Sequence, residues 1–245
     1  MSSRPEQRRR LLLLGAVVAV AAVAVVVAVL VSSGGGTKKK TPTTTGSAPA
    51  GAAEVAARFQ GIPQSNLTLG KASAPATREE FADLKCPICQ EVTVSLFPKL
   101  VDGYVRTGKV KVIFRPQTFV GQPAGNSEPA ARFALAAGLQ NKLWQFVDLF
   151  YVNQGDESTA YVNDAFLRRI GAGVQGLDVD KALADSRSPT VDAELAQADA
   201  LFKRYGFSGT PSFTLGRTGG ALKPLTLSAL DFSQFSGPIE QLLKK

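Results

Sequence analysis

The stretch FADLKCPICQE, Phe81 to Glu91, holds both cysteines of the chain, Cys86 and Cys89, and the chain has no histidine. Two thiols at this spacing allow three kinds of chemistry. A structural staple is the weakest fit. A disulfide stabilises mainly by restricting the unfolded chain, and a four-residue loop yields only about 2 kcal/mol, where a hundred-residue loop yields about 4.7. Zinc needs four ligands, and two thiols without histidine supply half of them. The third reading is a redox pair that opens and closes, and the local sequence favours it. The missing histidine also removes Ser-His-Asp and Cys-His catalysis.

Pro87 suits the first position of a helix, because it lacks the N–H that would go unpaired there. Cys86 is then the N-cap, beside free backbone N–H groups and the positive end of the helix dipole. Both favour a thiolate. A free thiol, with its pKa near 8.5, is only a few per cent ionised at neutral pH, and Cys-x-x-Cys helix starts lower that pKa. Cys89 follows one helical turn later on the same face. Cys86 is therefore the candidate nucleophile and Cys89 the candidate resolving thiol, with only the first sulfur needing access.

The elements that must hold this pair are strands and helices in alternation. Ala76–Leu84 is a strand candidate that Arg78 and Glu79 make a poor one by composition. Lys109–Arg115 alternates clearly. Pro211–Gly216 and Ala221–Leu227 flank the turn GRTGG and read as a hairpin. A helix runs from Pro87 to about Tyr104, with Pro98 as a kink. SEPAARFALAAGLQ and LWQFVDLFY read as helices. Asp164–Ile170 and Asp178–Ala184 read as short helices with aspartate caps, and a long helix opens at Ser188-Pro189 and ends at Gly206. A final helix carries Ile239, Leu242 and Leu243. A β-α-β unit, a helical block at about 126–208 and a β-β-α unit fit one α/β (α+β) domain with a mixed central sheet.

Ahead of this domain, Leu11 to Val31 is 21 residues without a charge. At 1.5 Å per residue it reaches about 30 Å, a bilayer hydrocarbon thickness. Arg8, Arg9 and Arg10 precede it directly, which favours a cytoplasmic N-terminus. An uncleaved transmembrane signal anchor at 11–31, after a cytoplasmic 1–10, fits better than a cleaved signal peptide, whose apolar region is usually about 7–15 residues. Residues 32–58, rich in Gly, Ser, Thr, Pro and Lys, read as a flexible linker, and 59–245 as the folded domain. The net charge of +8 comes mostly from the N-terminal quarter. From Phe59 onward there are 20 Lys/Arg and 18 Asp/Glu, so no dense basic face speaks for nucleic acid.

The stretch EFADLKCPIC resembles the active site of the DsbA type of thioredoxin-fold thiol-disulfide oxidoreductases of the bacterial envelope. GTPSF, Gly209 to Phe213, stands where that family has a second signature, and the likeness runs from about Leu67 to the C-terminus. LQNKLWQFVDLFYVNQ is similar to the family's helical insertion. The resemblance implies a thioredoxin-like fold and a membrane-anchored enzyme working outside the cytoplasm. It implies a cis Pro211 facing the cysteines, with the Thr210 backbone free to pair with a substrate strand. Pro87 and Ile88 would tune the pair. Ile88 stands where the best-known oxidant members have a histidine that stabilises the thiolate, which implies a less acidic Cys86 here. Glu80 matches the family's acidic residue under the site, where a buried carboxylate can relay the Cys89 proton. The other reading of Glu80 is a partly exposed glutamate at the strand end. Lys111 and Arg115 are the candidate cations beside it. Asp83 reads as a turn-forming residue rather than a catalyst. Trp144, Phe146 and Phe150 read as helical core.

The implied function is donation of the Cys86–Cys89 disulfide to reduced, unfolded secreted or membrane proteins. No cofactor or metal is needed, and a quinone-linked membrane oxidase would recharge the pair. A disulfide-permissive compartment favours donation over reduction. The alternatives are a reductase or isomerase on the same fold, and a tethered binding domain without turnover.

Overall fold

The computed structural model describes residues 48–120 and 127–244. The apolar segment Leu11 to Val31 lies outside them. Among the described residues no helix is long and apolar enough to cross a membrane.

The elements are α1 (Ala52–Phe59), β1 (Gln64–Ser65), β2 (Thr68–Leu69), β3 (Ala76–Asp83), a helix α2 over 87–105 and β4 (Val110–Gln117). The helical block follows as α3 (Glu128–Gly138), α4 (Leu143–Val152), α5 (Asp164–Ala172), α6 (Val179–Asp185) and α7 (Pro189–Arg204). The chain closes with β5 (Ser212–Arg217), β6 (Lys223–Leu225) and α8 (Ser233–Leu243). The sheet order is β1-β2-β4-β3-β5-β6. β3 runs parallel to β4 and antiparallel to β5, so the sheet is mixed and β3 lies inside it.

Every residue of β3 is buried, the charged ones included. Alternate side chains of a strand take opposite faces, so each charge finds its partner on its own face. Arg78 Nη1 lies 3.1 Å from Glu80 Oε2, two residues along the same strand. On the other face Arg115 Nη2 lies 2.8 Å from Glu79 Oε1, across the β3–β4 ladder. Thr214 donates its hydroxyl to Glu79 Oε2 at 3.1 Å. The charges that made this strand look poor are thus neutralised in pairs as they are buried.

α2 connects the two parallel strands and alternates between α and π turns, with π stretches at Val92–Leu96 and Val101–Val105. Pro98 has no N–H to give the helix. Just before it, Phe97 N donates to Val92 O, a bond five residues back, and Leu96 takes φ −108°. The expected kink is therefore taken up as a π-bulge. In the helical block Trp144 stacks on Phe97 at 5.1 Å and donates its indole N–H to Leu67 O at 3.1 Å. Trp144, Phe146 and Phe150 are all core.

Three details differ from the sequence reading. The α1 helix starts within residues 32–58, so folded structure begins before Phe59: Val55 and Phe59 are buried, and Arg58 pairs with the buried Asp148. Asn153 also holds Ala50 from both sides, its Oδ1 accepting Ala50 N at 3.0 Å and its Nδ2 donating to Ala50 O at 2.9 Å. The β1–β2 hairpin, too short to show alternation, adds to the β4 edge through Thr68 and Ile113. Finally, Asn163 and not Asp164 caps α5, accepting Phe166 N at 3.0 Å, while Asp178 and Ser188 cap α6 and α7 as expected.

Candidate functional site

The site forms where β3 ends and α2 begins. Asp83 terminates the strand and organises the turn. Its Oδ1 accepts Lys85 N at 2.8 Å, the turn geometry expected of it. Its Oδ2 accepts Phe119 N at 2.7 Å, Val120 N at 2.9 Å and Ser127 Oγ at 2.7 Å, which fastens the segment after β4 to the same point. Burial holds this carboxyl above its usual range in spite of the four donors. Asp83 O accepts Cys86 N at 3.0 Å, and the chain enters the helix.

Cys86 is the N-cap and Pro87 occupies the first turn. Cys89 N donates to Cys86 Sγ at 3.4 Å, and the Cys86 thiol lies 3.5 Å from Thr210 O. The Thr210-Pro211 bond is cis. Thr210, 124 residues further along the chain, is thus brought against the first sulfur. Both cysteines are free thiols. Cys89 is sealed at 0 % exposure, while Cys86 keeps 6 %, a narrower opening than the expected exposed sulfur.

The environment separates the two thiols. The hydrogen bond with the Cys89 thiol is the largest influence on Cys86. Together with the Cys89 and Ile88 amides and Thr210, it outweighs burial and brings Cys86 down to about 6. Burial first, and the neighbouring Cys86 second, push Cys89 well above its ordinary value. A histidine between the cysteines is therefore not required for an acidic Cys86; its main-chain and thiol neighbours suffice. After reduction, we expect Cys86 to alkylate with iodoacetamide with a midpoint near pH 6, and Cys89 to stay protected through neutral pH. Peptide mapping of the alkylated chain over pH 4–9 checks this (a range spanning roughly the perturbed and ordinary thiol values).

Ile88 is 49 % exposed. With Phe207, Pro211, Phe213, Leu227 and Leu230 it lines a groove of about 400 Å³ beside the cysteines. Thr210 forms part of the same wall.

Glu80 is buried, which excludes the exposed strand-end reading. Its cation is Arg78, in correction of both candidates. Lys111 Nζ donates to Ala72 O instead, and Arg115 serves Glu79. Lys111 and Arg115 sit on β4, where register decides the partner, whereas Arg78 shares Glu80's own strand face. Burial pushes Glu80 up against the pull of Arg78. Beneath the turn lies the fully buried Tyr151, which donates its hydroxyl to Asp83 O at 3.0 Å. Burial is the main reason its hydroxyl is held well above its usual range, followed by Cys89, Glu80, Asp83 and Cys86. Tyr151 and Gln154 were not singled out from the sequence, and Arg78 stood out only as a charge that suits a strand poorly. A tyrosine and a glutamine at a helix end carry no signal of their own until the fold brings them under the cysteines.

A family profile described as Thioredoxin matches residues 64–228. A curated protein of Bacillus cereus, "Probable disulfide bond formation protein D", is 27 % identical over 179 residues, covering 73 % of this chain and 79 % of that protein. Among solved structures, a thioredoxin-like oxidoreductase from Silicibacter pomeroyi DSS-3 is 30 % identical with a TM-score of 0.56, covering 75 % of this chain and 93 % of that one. Oxidised BdbD from Bacillus subtilis superposes with a TM-score of 0.63 at 21 % identity, covering 75 % of this chain and 98 % of its own, a likeness of fold.

Proposed function

The chain belongs to the thioredoxin family, among its DsbA-like thiol-disulfide oxidoreductases, and from that premise we propose that it donates the Cys86–Cys89 disulfide to reduced proteins folding outside the cytoplasm. The observation that carries this reading is the asymmetry of the pair: an acidic Cys86 at the helix N-cap, against a sealed Cys89 that favours its proton.

In the donating direction a substrate thiolate attacks Cys86 Sγ of the disulfide. The Cys86–Cys89 bond breaks, and Cys89 leaves and takes up a proton. The substrate's second thiolate then attacks its own sulfur in the mixed disulfide. Cys86 departs as a thiolate, and low-pKa thiols leave fast. Two electrons have passed to the pair and one disulfide to the substrate. Thr210, Pro211 and Ile88 hold the substrate segment along the groove, with Pro87 setting the cap. Glu80 handles the Cys89 proton, with Arg78 as its counter-ion.

The thermodynamics run the same way. A thiol lowered from 9.0 to about 6 stabilises the folded, reduced protein. The gain is complete above pH 9, shrinks as pH falls and is gone below about pH 6. At pH 7 it is about 1.4 kcal/mol, or about 30 mV for a two-electron couple. We expect a reduction potential on the oxidising side, toward about −120 mV, measured by equilibration with glutathione. A value near −270 mV would make the protein a reductant and end the donor reading.

Leu11–Val31 serves as a single-pass anchor, with the cytoplasmic arginines before it, and residues 32–47 as the tether to a domain on the extracytoplasmic side. Reoxidation falls to a quinone-linked membrane oxidase, which an anchored donor meets in the plane of the bilayer.

A further inference from the structure

Between β3 and α2 the chain turns through Asp83, Leu84, Lys85 and Cys86. The helical block grips the carbonyls of this turn. Gln154, just past the end of α4, donates from Nε2 to Leu84 O at 2.8 Å and to Cys86 O at 3.2 Å. Tyr151 adds its hydroxyl to Asp83 O at 3.0 Å. In the opposite direction, Gln90 on α2 donates its side-chain amide to Tyr151 O at 2.8 Å. These partners are 61 to 70 residues apart in sequence, so only the finished fold unites them.

Besides the bond with the Cys89 thiol, two main-chain contacts set the Cys86 sulfur apart, 3.4 Å from Cys89 N and 3.5 Å to Thr210 O. Hydrogen bonds depend on angle and weaken when a dihedral moves. Cys86 sits at φ −74° and ψ 123°, the extended conformation an N-cap needs. Rotation about ψ moves the Cys86 carbonyl, which Gln154 shares with the first backbone bond of α2, Gln90 N to Cys86 O at 3.1 Å. A donor on that carbonyl and on Leu84 O brackets the residue between them.

We propose that Gln154 is a positioning residue for the redox reaction, its side-chain amide clamping the Leu84 and Cys86 carbonyls so that Cys86 keeps its sulfur on the Cys89 amide. The assignment rests on reading Cys86–Cys89 as the redox pair. The titratable groups around the turn are Glu80 and Asp83 from β3, Cys89 from α2 and Tyr151 from α4. Lys85, between the clamped residues, donates its ammonium to Thr159 O. Replacing Gln154 by methionine changes none of these charges, so a moved thiol titration reports geometry.

The test compares the full chain with Gln154→Met, which keeps the shape and loses the donor, and Gln154→Glu, which sets an acceptor against two acceptors. Thiolate absorbance is followed against pH, with iodoacetamide rates at pH 6. The Cys86 midpoint should rise by about half a unit to one unit in Gln154→Met, with alkylation at pH 6 slowed roughly two- to fivefold. Gln154→Glu should shift it further, and both variants should become weaker oxidants. Midpoints and rates equal to the parent's in both variants, even with lowered Tm, would overturn the proposal and leave Gln154 a packing residue. A parent chain that shows no acidic thiol would instead overturn the redox reading, and this assignment with it.

Discussion

A chain carrying Cys86→Ser oxidises a reduced test protein no faster than buffer alone. A hydroxyl cannot form the mixed disulfide, and the sealed Cys89 offers no sulfur in its place. The companion variant Cys89→Ser behaves differently. It keeps the sulfur at the N-cap but loses the thiol that must break a stalled adduct. It therefore accumulates a covalent enzyme–substrate species when mixed with a substrate disulfide, visible on a non-reducing gel and removed by dithiothreitol. Catalysed oxidation that survives the loss of Cys86 would refute the mechanism. Failure of Cys89→Ser to trap anything would move the resolving role elsewhere.

The largest effect on stability is expected at Arg78. Its guanidinium is 1 % exposed, lies 4.4 Å from the Phe213 ring centroid and 4.7 Å from that of Phe235, and sits beside Glu80. Arg78→Ala leaves a buried carboxylate without its cation and a gap between two aromatic rings. Breaking a buried pair from one side costs about 3–5 kcal/mol, which for a domain of this size lowers Tm by roughly 6–20 °C. Arg78→Met combined with Glu80→Gln removes both charges and fills the space, and should recover most of that loss. A calorimetric double-mutant cycle on these positions checks it. Equal losses for the single and double variants would mean that the rings, not the ion pair, dominate.

The chemistry of the site was legible because it is local. Cys86, Pro87 and Cys89 need only one helical turn to state their relation, and the observed cap follows that reading. The relation of Thr210 and Pro211 to the cysteines came from family resemblance, since nothing in the chain across a separation of 124 residues encodes it. The partner of Glu80 was missed for a specific reason. Arg78 looked like a flaw in a strand, while candidates on β4 looked like free cations; burial on both faces of β3 turned the flaw into the partner. The early start at α1 was hidden by composition. Its two buried anchors, Val55 and Phe59, stand among alanines that continue the linker's character. Tyr151 and Gln154 were out of reach altogether, because a polar side chain at a helix end declares no target.

The sulfur at the start of α2 depends on groups from two distant stretches: Tyr151 and Gln154 under its turn, and Thr210 beside it. A growing chain is delivered from its N-terminus. Cys86 is therefore synthesised well before any of those residues, and its turn lacks their contacts until they follow. The surroundings of this sulfur are thus complete only as synthesis nears its end.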